Sequence, residues 1–206
     1  MNIIFTRPLI DSEDLMSNFI SSEHKIIHMP TLSIKSSNMK PINTKDYDGL
    51  IFTSANAVRF LKIENEDKSI KCFCVGNLTE RSLRLKGYNN TIAASGTVNA
   101  LKNLIINSNQ INENSKIAYF CGDNITYDLD SELKREGLRI NKIINYKSEK
   151  ITDLNDQNKE IIANHSPDII FIYSIRSGES FIEIVRNYSL YPKNVDFEAL
   201  GLDIHS

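Results

Sequence analysis

Short apolar runs recur along the chain and alternate with stretches whose apolar residues fall three and four apart. The runs Ile3–Thr6, Lys25–Pro30, Gly49–Thr53, Cys72–Val75, Thr91–Ala94, Lys116–Cys121, Ile140–Tyr146, Asp168–Tyr173 and Val195–Leu200 read as strands. Most are continuously apolar, the pattern of strands covered on both faces. Between them, Leu101, Leu104 and Ile105 make one helical stripe, and Phe181, Ile184, Val185 and Tyr188 make another. Asn77, followed three residues later by Glu80, has capping-box spacing and predicts a helix start with Asn77 as cap. Gly87 and Gly137 stand where a left-handed helix stop falls. This β-α-β-α order predicts the α/β class, with parallel sheets and right-handed crossovers.

The rhythm does not suit one sheet, because so many strands crowd the upper end of what an open sheet of this length holds. The stretch Thr31–Asp46 interrupts it: polar, containing Pro41, and alternating through Thr-Leu-Ser-Ile like a thin extended connector. A second such stretch follows at Lys147–Thr152. Two crossings predict an inner domain, residues 34–148, inserted into an outer domain made of residues 1–33 and 149–206. Weak internal similarity agrees: IFTR (4–7), IFTS (51–54) and FIYS (171–174) each close a strand with small polar residues.

Composition changes this picture mainly by exclusion. Of 206 residues, 41% are hydrophobic and 24% charged, a globular balance that excludes a wholly disordered chain. Lys+Arg at 24 against Asp+Glu at 26 gives a net charge of −2, which argues against a broad nucleic-acid footprint. No apolar run approaches the roughly 18 residues that span a membrane, and the opening MNIIFTRPLI lacks a signal peptide's basic start. The 3 cysteines, Cys72, Cys74 and Cys121, sit in strand-like runs, so a reducing cytoplasmic setting is expected.

In open parallel sheets, ligands bind beyond the carboxyl ends of the strands. Here those ends carry Thr6-Arg7, Thr53-Ser54, Gly76-Asn77, Ser95-Gly96-Thr97, Gly122-Asp123 and Ser174, each before a predicted helix start. Small or hydroxylic residues at such points expose backbone N–H groups and can hold a polyanion without a lysine cluster. The same residues are also good helix caps, and for any one position capping is the simpler account. His24 and His28 lie four apart without an evident third ligand, and Cys72 and Cys74 share one strand face, which suits packing. No GxGxxG, P-loop or HExxH motif is present.

Several segments, taken in order, resemble the uroporphyrinogen-III synthase family. Ile3–Pro8 is similar to its FTRP-like opening. Phe52-Thr53-Ser54-Ala55-Asn56-Ala57-Val58 resembles FTSPxAV, with Ala55 in place of Pro. Val75-Gly76-Asn77-Leu78-Thr79 resembles VGxxT, and Ser95-Gly96-Thr97 fits the Gly before a helix. Tyr119-Phe120-Cys121-Gly122 resembles a YLxG strand end, and Asn145-Tyr146-Lys147-Ser148 a VYxT-like strand. Ile172-Tyr173-Ser174-Ile175-Arg176-Ser177-Gly178 is similar to FxSPSG, with Ile175 and Arg176 departing from it.

The resemblance implies two flavodoxin-like, doubly wound parallel-sheet domains, the inner inserted into the outer and joined by two extended connectors. It implies a cofactor-free, metal-free hydro-lyase that works as a monomer. That enzyme closes hydroxymethylbilane, a linear tetrapyrrole with eight carboxylates, to uroporphyrinogen III with inversion of the last ring and loss of water. Tyr146 corresponds to the family's cleft tyrosine and Thr79 to the threonine of VGxxT, and both are assigned to catalysis. Arg7, Thr53, Ser54, Asn56, Asn77, Ser95, Gly96, Thr97, Gly122, Ser174 and Ser177 are assigned to substrate binding; Arg176 reads as a surface ion-pairing residue. Partners are the small-molecule substrate and, transiently, the preceding pathway enzyme, with no nucleic acid and no membrane. A non-catalytic tetrapyrrole-binding relative stays open as the alternative, and a flavin-binding or receiver domain is a weaker one. The family's last strand end would fall near Leu200–Ser206, with Asp203 or Ser206 near its hydroxyl position. The outer domain is therefore expected to lack a final helix and strand, leaving an exposed apolar flank.

Overall fold

Ile3, Ile4 and Phe5 are all completely buried in the first strand, which requires cover on both of its faces. The computed structural model of the chain describes residues 1–8, 13–20, 22–108, 111–164, 167–188 and 196–199. In chain order the elements begin with β1 (Asn2–Phe5), α1 (Glu13–Ile20), β2 (Lys25–His28), β3 (Leu32–Ser36) and β4 (Ile42–Asn43). There follow β5 (Gly49–Phe52), α2 (Ala55–Arg59), β6 (Ile63–Glu64), β7 (Lys71–Val75), α3 (Gly76–Leu85), β8 (Thr91–Ala94) and α4 (Val98–Ile106). The remainder is β9 (Lys116–Gly122), α5 (Leu129–Arg135), β10 (Arg139–Lys150), α6 (Asp156–Asn164), β11 (Ile169–Ile172), α7 (Ile175–Asn187) and β12 (Asp196–Ala199). The segment expected as the first bare connector thus carries β3 and β4, and the second begins inside β10.

The chain divides into two compact units, Met1–Ser33 with Glu149–Ser206, and Ile34–Ser148. The sheet of the first unit has the order β12-β11-β1-β2, with every described pairing parallel. Side chains alternate between its faces. Ile4 packs with Ile170, Phe181 and Ile184 under α7, whereas Ile3 and Phe5 pack with Met16 and Phe19 under α1. Leu200–Ser206, with Asp203 and Ser206, lie outside the described residues, and with them the expectation of a missing final helix and strand.

The second unit is built on the order β3-β10-β9-β5-β7-β8, parallel from β10 through β8. Leu50, Phe52, Cys72, Cys74 and Phe120 meet Ala57, Val58 and Leu83 of α2 and α3 on one face. Ile51, Phe73, Ile117, Tyr119 and Cys121 meet Leu101, Ile105, Leu129 and Leu133 of α4 and α5 on the other. Taken from β5, the five-strand order runs third-second-first-fourth-fifth. That is the dinucleotide-fold order and differs from the flavodoxin-like order expected for this half; the described strands of the first unit do follow the flavodoxin-like order.

Helix ends follow local chemistry. Gly87 (φ +92°) and Gly137 (φ +86°) stop α3 and α5 in the left-handed region. In each, the following N–H reaches back into the helix: Tyr88 to the Leu83 carbonyl and Leu138 to the Leu133 carbonyl, both at 3.1 Å. Asn77, by contrast, does not cap α3. Strand β7 runs straight into the helix at Gly76 (φ +71°), so Val75 takes the cap position without a side-chain bond. Glu80 turns instead to Arg84 (2.7 Å) and Thr91 (2.9 Å).

Candidate functional site

A doubly wound sheet opens a crevice where successive crossovers leave in opposite directions, outside the carboxyl ends of the strands. In the second unit the chain moves from β5 outward to β7 and β8, then returns to place β9 on the other side of β5. The switch point therefore lies between the ends of β5 and β9, which carry Thr53-Ser54 and Gly122. Strand β10 beside β9 adds Tyr146, which pairs with Gly122.

The Tyr146 ring lies directly on the Gly122 backbone. A Cβ on Gly122 would stand 2.7 Å from two ring carbons, so only glycine fits beneath it. From another side, Phe60 at the end of α2 stacks on the ring with centroids 6.5 Å apart. The Asp123 N–H donates to the Tyr146 carbonyl (3.1 Å), and an Asp123 carboxylate oxygen accepts from the Ser148 N–H (3.0 Å). Backbone and ring are thus both held. Thr53 shares a hydrogen bond of 3.4 Å with the Tyr119 hydroxyl. Burial pushes that phenol well above the usual tyrosine range, so it stays protonated.

Ser54 caps α2, its hydroxyl oxygen accepting the Asn56 N–H at 3.1 Å, and the Asn56 side chain accepts from Arg59 at 2.6 Å. The ends of β7 and β8 bring Gly76-Asn77 beside Ser95-Gly96-Thr97: a Cβ on Gly76 would lie 4.0 Å from the Gly96 Cα. Asn77, Ser95, Gly96 and Thr97 are exposed, and Thr97 caps α4 by accepting the Ala100 N–H (3.1 Å). Thr79, one turn into α3, is only 4% exposed and turned to the sheet side with Leu83.

The first unit has its own switch point, between β1 and β11. The Arg7 guanidinium lies over the Tyr173 ring, 4.6 Å from its centroid. His28 Nε2 meets the Arg7 carbonyl at 2.9 Å, which fixes the chain just past β1. Ser174 caps α7 in a reciprocal box with Ser177, whose hydroxyl accepts the Ser174 N–H (3.0 Å) and donates to the Ser174 carbonyl (2.8 Å). Ser177 is buried and its hydroxyl is occupied in this way; Ser174 is exposed, and its own O–H donates to the Ser177 hydroxyl oxygen at 3.2 Å. Arg176 follows in the first turn of α7.

The sequence-derived residues are thereby gathered, within each unit, at one carboxyl edge. Sequence reasoning missed Phe60, Tyr119 and Tyr173, the aromatic side chains that hold Tyr146, Thr53 and Arg7. The signal for Tyr173 was its place directly after a strand beside that of Arg7. For Tyr119, it was the alternation that puts it on one face of β9. At these edges an anionic ligand would meet N–H groups, hydroxyls and Arg7.

Comparisons with known proteins extend this reading. The family model described as uroporphyrinogen-III synthase HemD matches residues 14–202. No curated protein matches the chain by sequence. Among solved structures, the uroporphyrinogen-III synthetase of Helicobacter pylori is 16% identical, with a TM-score of 0.64 over 97% of this chain and 84% of that one. A mutant uroporphyrinogen III synthase of the extreme thermophile Thermus thermophilus is 13% identical, with a TM-score of 0.56 over 98% of this chain and 85% of that one. At such identities the structures show a shared α/β fold with mostly parallel sheets. With the family model matched over most of the residues, the chain belongs to the uroporphyrinogen-III synthase family.

Proposed function

We propose that the protein is an active uroporphyrinogen-III synthase, a hydro-lyase that converts hydroxymethylbilane to uroporphyrinogen III and water. The observation that carries this reading is Tyr146, held between Gly122 and Phe60 at the switch point of its sheet. We take the two units to be the outer and inner domains of the family arrangement.

The electron-rich terminal pyrrole expels its hydroxymethyl hydroxyl, and the Tyr146 O–H donates a proton so that water leaves. A substituted carbon of the far pyrrole ring attacks the methylene carbon of the resulting azafulvene, giving a spiro intermediate. That intermediate fragments and recloses with the ring inverted, and the proton finally lost from carbon restores the balance. No redox step occurs, and the reaction needs no metal or cofactor. The enzyme's task is to keep the flexible chain in the pose that favours the substituted carbon. Ser54, Asn56, Asn77, Ser95, Gly96, Thr97 and Ser174 suit carboxylate anchoring through hydroxyl, amide and N–H groups, with Arg7 as the bidentate partner. Thr53 and Gly122 shape the floor, Ser177 closes the capping box behind Ser174, and Thr79, assigned with Tyr146 to catalysis, is buried one turn into α3.

The test is incubation with freshly generated hydroxymethylbilane, oxidation, and chromatographic separation of porphyrin isomers. Isomer III above the no-protein control supports the reading. Isomer I alone, with the tetrapyrrole still bound, points to the non-catalytic binding relative.

A further inference from the structure

Strand β10 is not regular where it matters most. Ile144 pairs with Cys121, and the next pairing is Tyr146 with Gly122, so β10 carries one extra residue, Asn145, against β9. Along a regular strand, neighbouring side chains point to opposite faces, and one added residue reverses the pattern beyond it. Ile143 packs on the Leu50, Phe52 and Phe120 face. Without the bulge Tyr146 would turn away from that face, toward Tyr119 and Cys121. With it, Asn145 and Tyr146 both lie on the Phe120 side, and Tyr146 reaches Gly122 and Phe60.

Asn145 is completely buried, and its contacts hold the bulge from two sides. Its Nδ2 donates to the Ala57 carbonyl of α2 at 2.7 Å. Its backbone carbonyl accepts from the Ser37 N–H at 3.0 Å, while the Ser37 hydroxyl donates to the Ile144 carbonyl at 2.7 Å. Its Oδ1, however, meets no donor among the described residues. A buried amide oxygen without a partner is unfavourable, so packing alone does not account for this side chain. What the amide supplies is the N–H that ties the bulge to α2, the helix that ends in Phe60.

We infer that Asn145 is a positioning residue for Tyr146: its side-chain amide locks the bulge to α2, and the bulge sets the sheet face on which the phenol stands. The kinetic consequence rests on the proposed synthase activity; the placement does not.

The test therefore has a spectroscopic arm and a kinetic arm. In the unmodified protein, NMR should show a Gly122 Hα shifted upfield by the Tyr146 ring, absent in Tyr146→Leu, and a slowly exchanging Asn145 Nδ2 proton. A Gly122 signal without that shift, or a rapidly exchanging amide proton, overturns the proposal without recourse to any Asn145 variant. In Asn145→Ala, and in the near-isosteric Asn145→Leu, which has no N–H to give to Ala57, the Gly122 shift should collapse. Turnover to isomer III should fall on the order of 10- to 100-fold, with KM changed less than about threefold. Added to Tyr146→Phe, Asn145→Ala should lower kcat by less than about twofold, because both act through one group. A folded variant that keeps the Gly122 shift, or full additivity with Tyr146→Phe, contradicts the role. If the unmodified protein makes no isomer III, the proposed activity fails, and the NMR arm still decides the role of Asn145.

Discussion

Tyr146 and Gly122 form a pair in which one residue's chemistry depends on the other's lack of a side chain. Tyr146→Phe removes the proton donor and leaves the ring stack intact. Its turnover to isomer III should fall on the order of 100-fold, as for loss of a general acid. Its urea midpoint should stay close to that of the unmodified protein; unchanged turnover would remove Tyr146 from the mechanism. Gly122→Ala drives a Cβ to within 2.7 Å of the ring, so the ring must swing away. It should lose both activity and stability, by about 1–3 kcal/mol as for other overpacked sites, in urea unfolding. Tyr146 could be picked out from its place at a strand end within a recognisable segment. Its supports could not: Phe60 is distant in sequence, and the bulge at Asn145 is a matter of register with β9, which β10 alone does not encode.

Strands and helices follow the hydrophobic pattern closely because most strands are covered on both faces. Each expected strand is formed within a few residues, while β3, β4 and β6 were unmarked, the last two being only two residues long and lacking a periodic signal. Helix starts were harder to read. Asn77 and Glu80 have capping spacing, yet Gly76 turns β7 directly into α3 and leaves no extended residue for Asn77 to occupy. Ser54, Thr97 and Ser174, read both as ligand groups and as caps, do cap their helices. A cap oxygen that accepts an N–H still has its own proton to donate; at Ser174 that proton goes to the Ser177 oxygen (3.2 Å), so a ligand carboxylate takes it by displacing that bond. Ser174→Ala should cost about 0.5–2 kcal/mol in thermal or urea unfolding. Because the hydroxyl donor is lost as well, the KM for the tetrapyrrole should rise; a normal KM would reduce Ser174 to a cap.

At the scale of the molecule, both units bury their central strands, and the 3 cysteines lie inside the second. Burial pushes the Cys72 and Cys74 thiols up to about 12 and Cys121 to about 11. Unfolded thiols titrate near 8.5, so as pH rises the unfolded chain releases these protons first. Stability from this source is complete below about pH 8 and is lost as pH climbs toward 11–12. The urea midpoint should accordingly drop between about pH 8 and 10.5. A thiol reagent at about pH 8 should label the protein only after unfolding. Rapid labelling of the folded protein would contradict the packing of β7 and β9. The fold class could be read from the alternation of strands and helices, whereas the strand order of the second unit could not, because crossover direction leaves no mark in a single segment. The most direct measurement of the whole account is the isomer ratio formed from hydroxymethylbilane by the unmodified protein and by Tyr146→Phe. The account predicts mainly uroporphyrinogen III from the first and a return toward isomer I from the second; isomer I alone from both, at the uncatalysed rate, would contradict it.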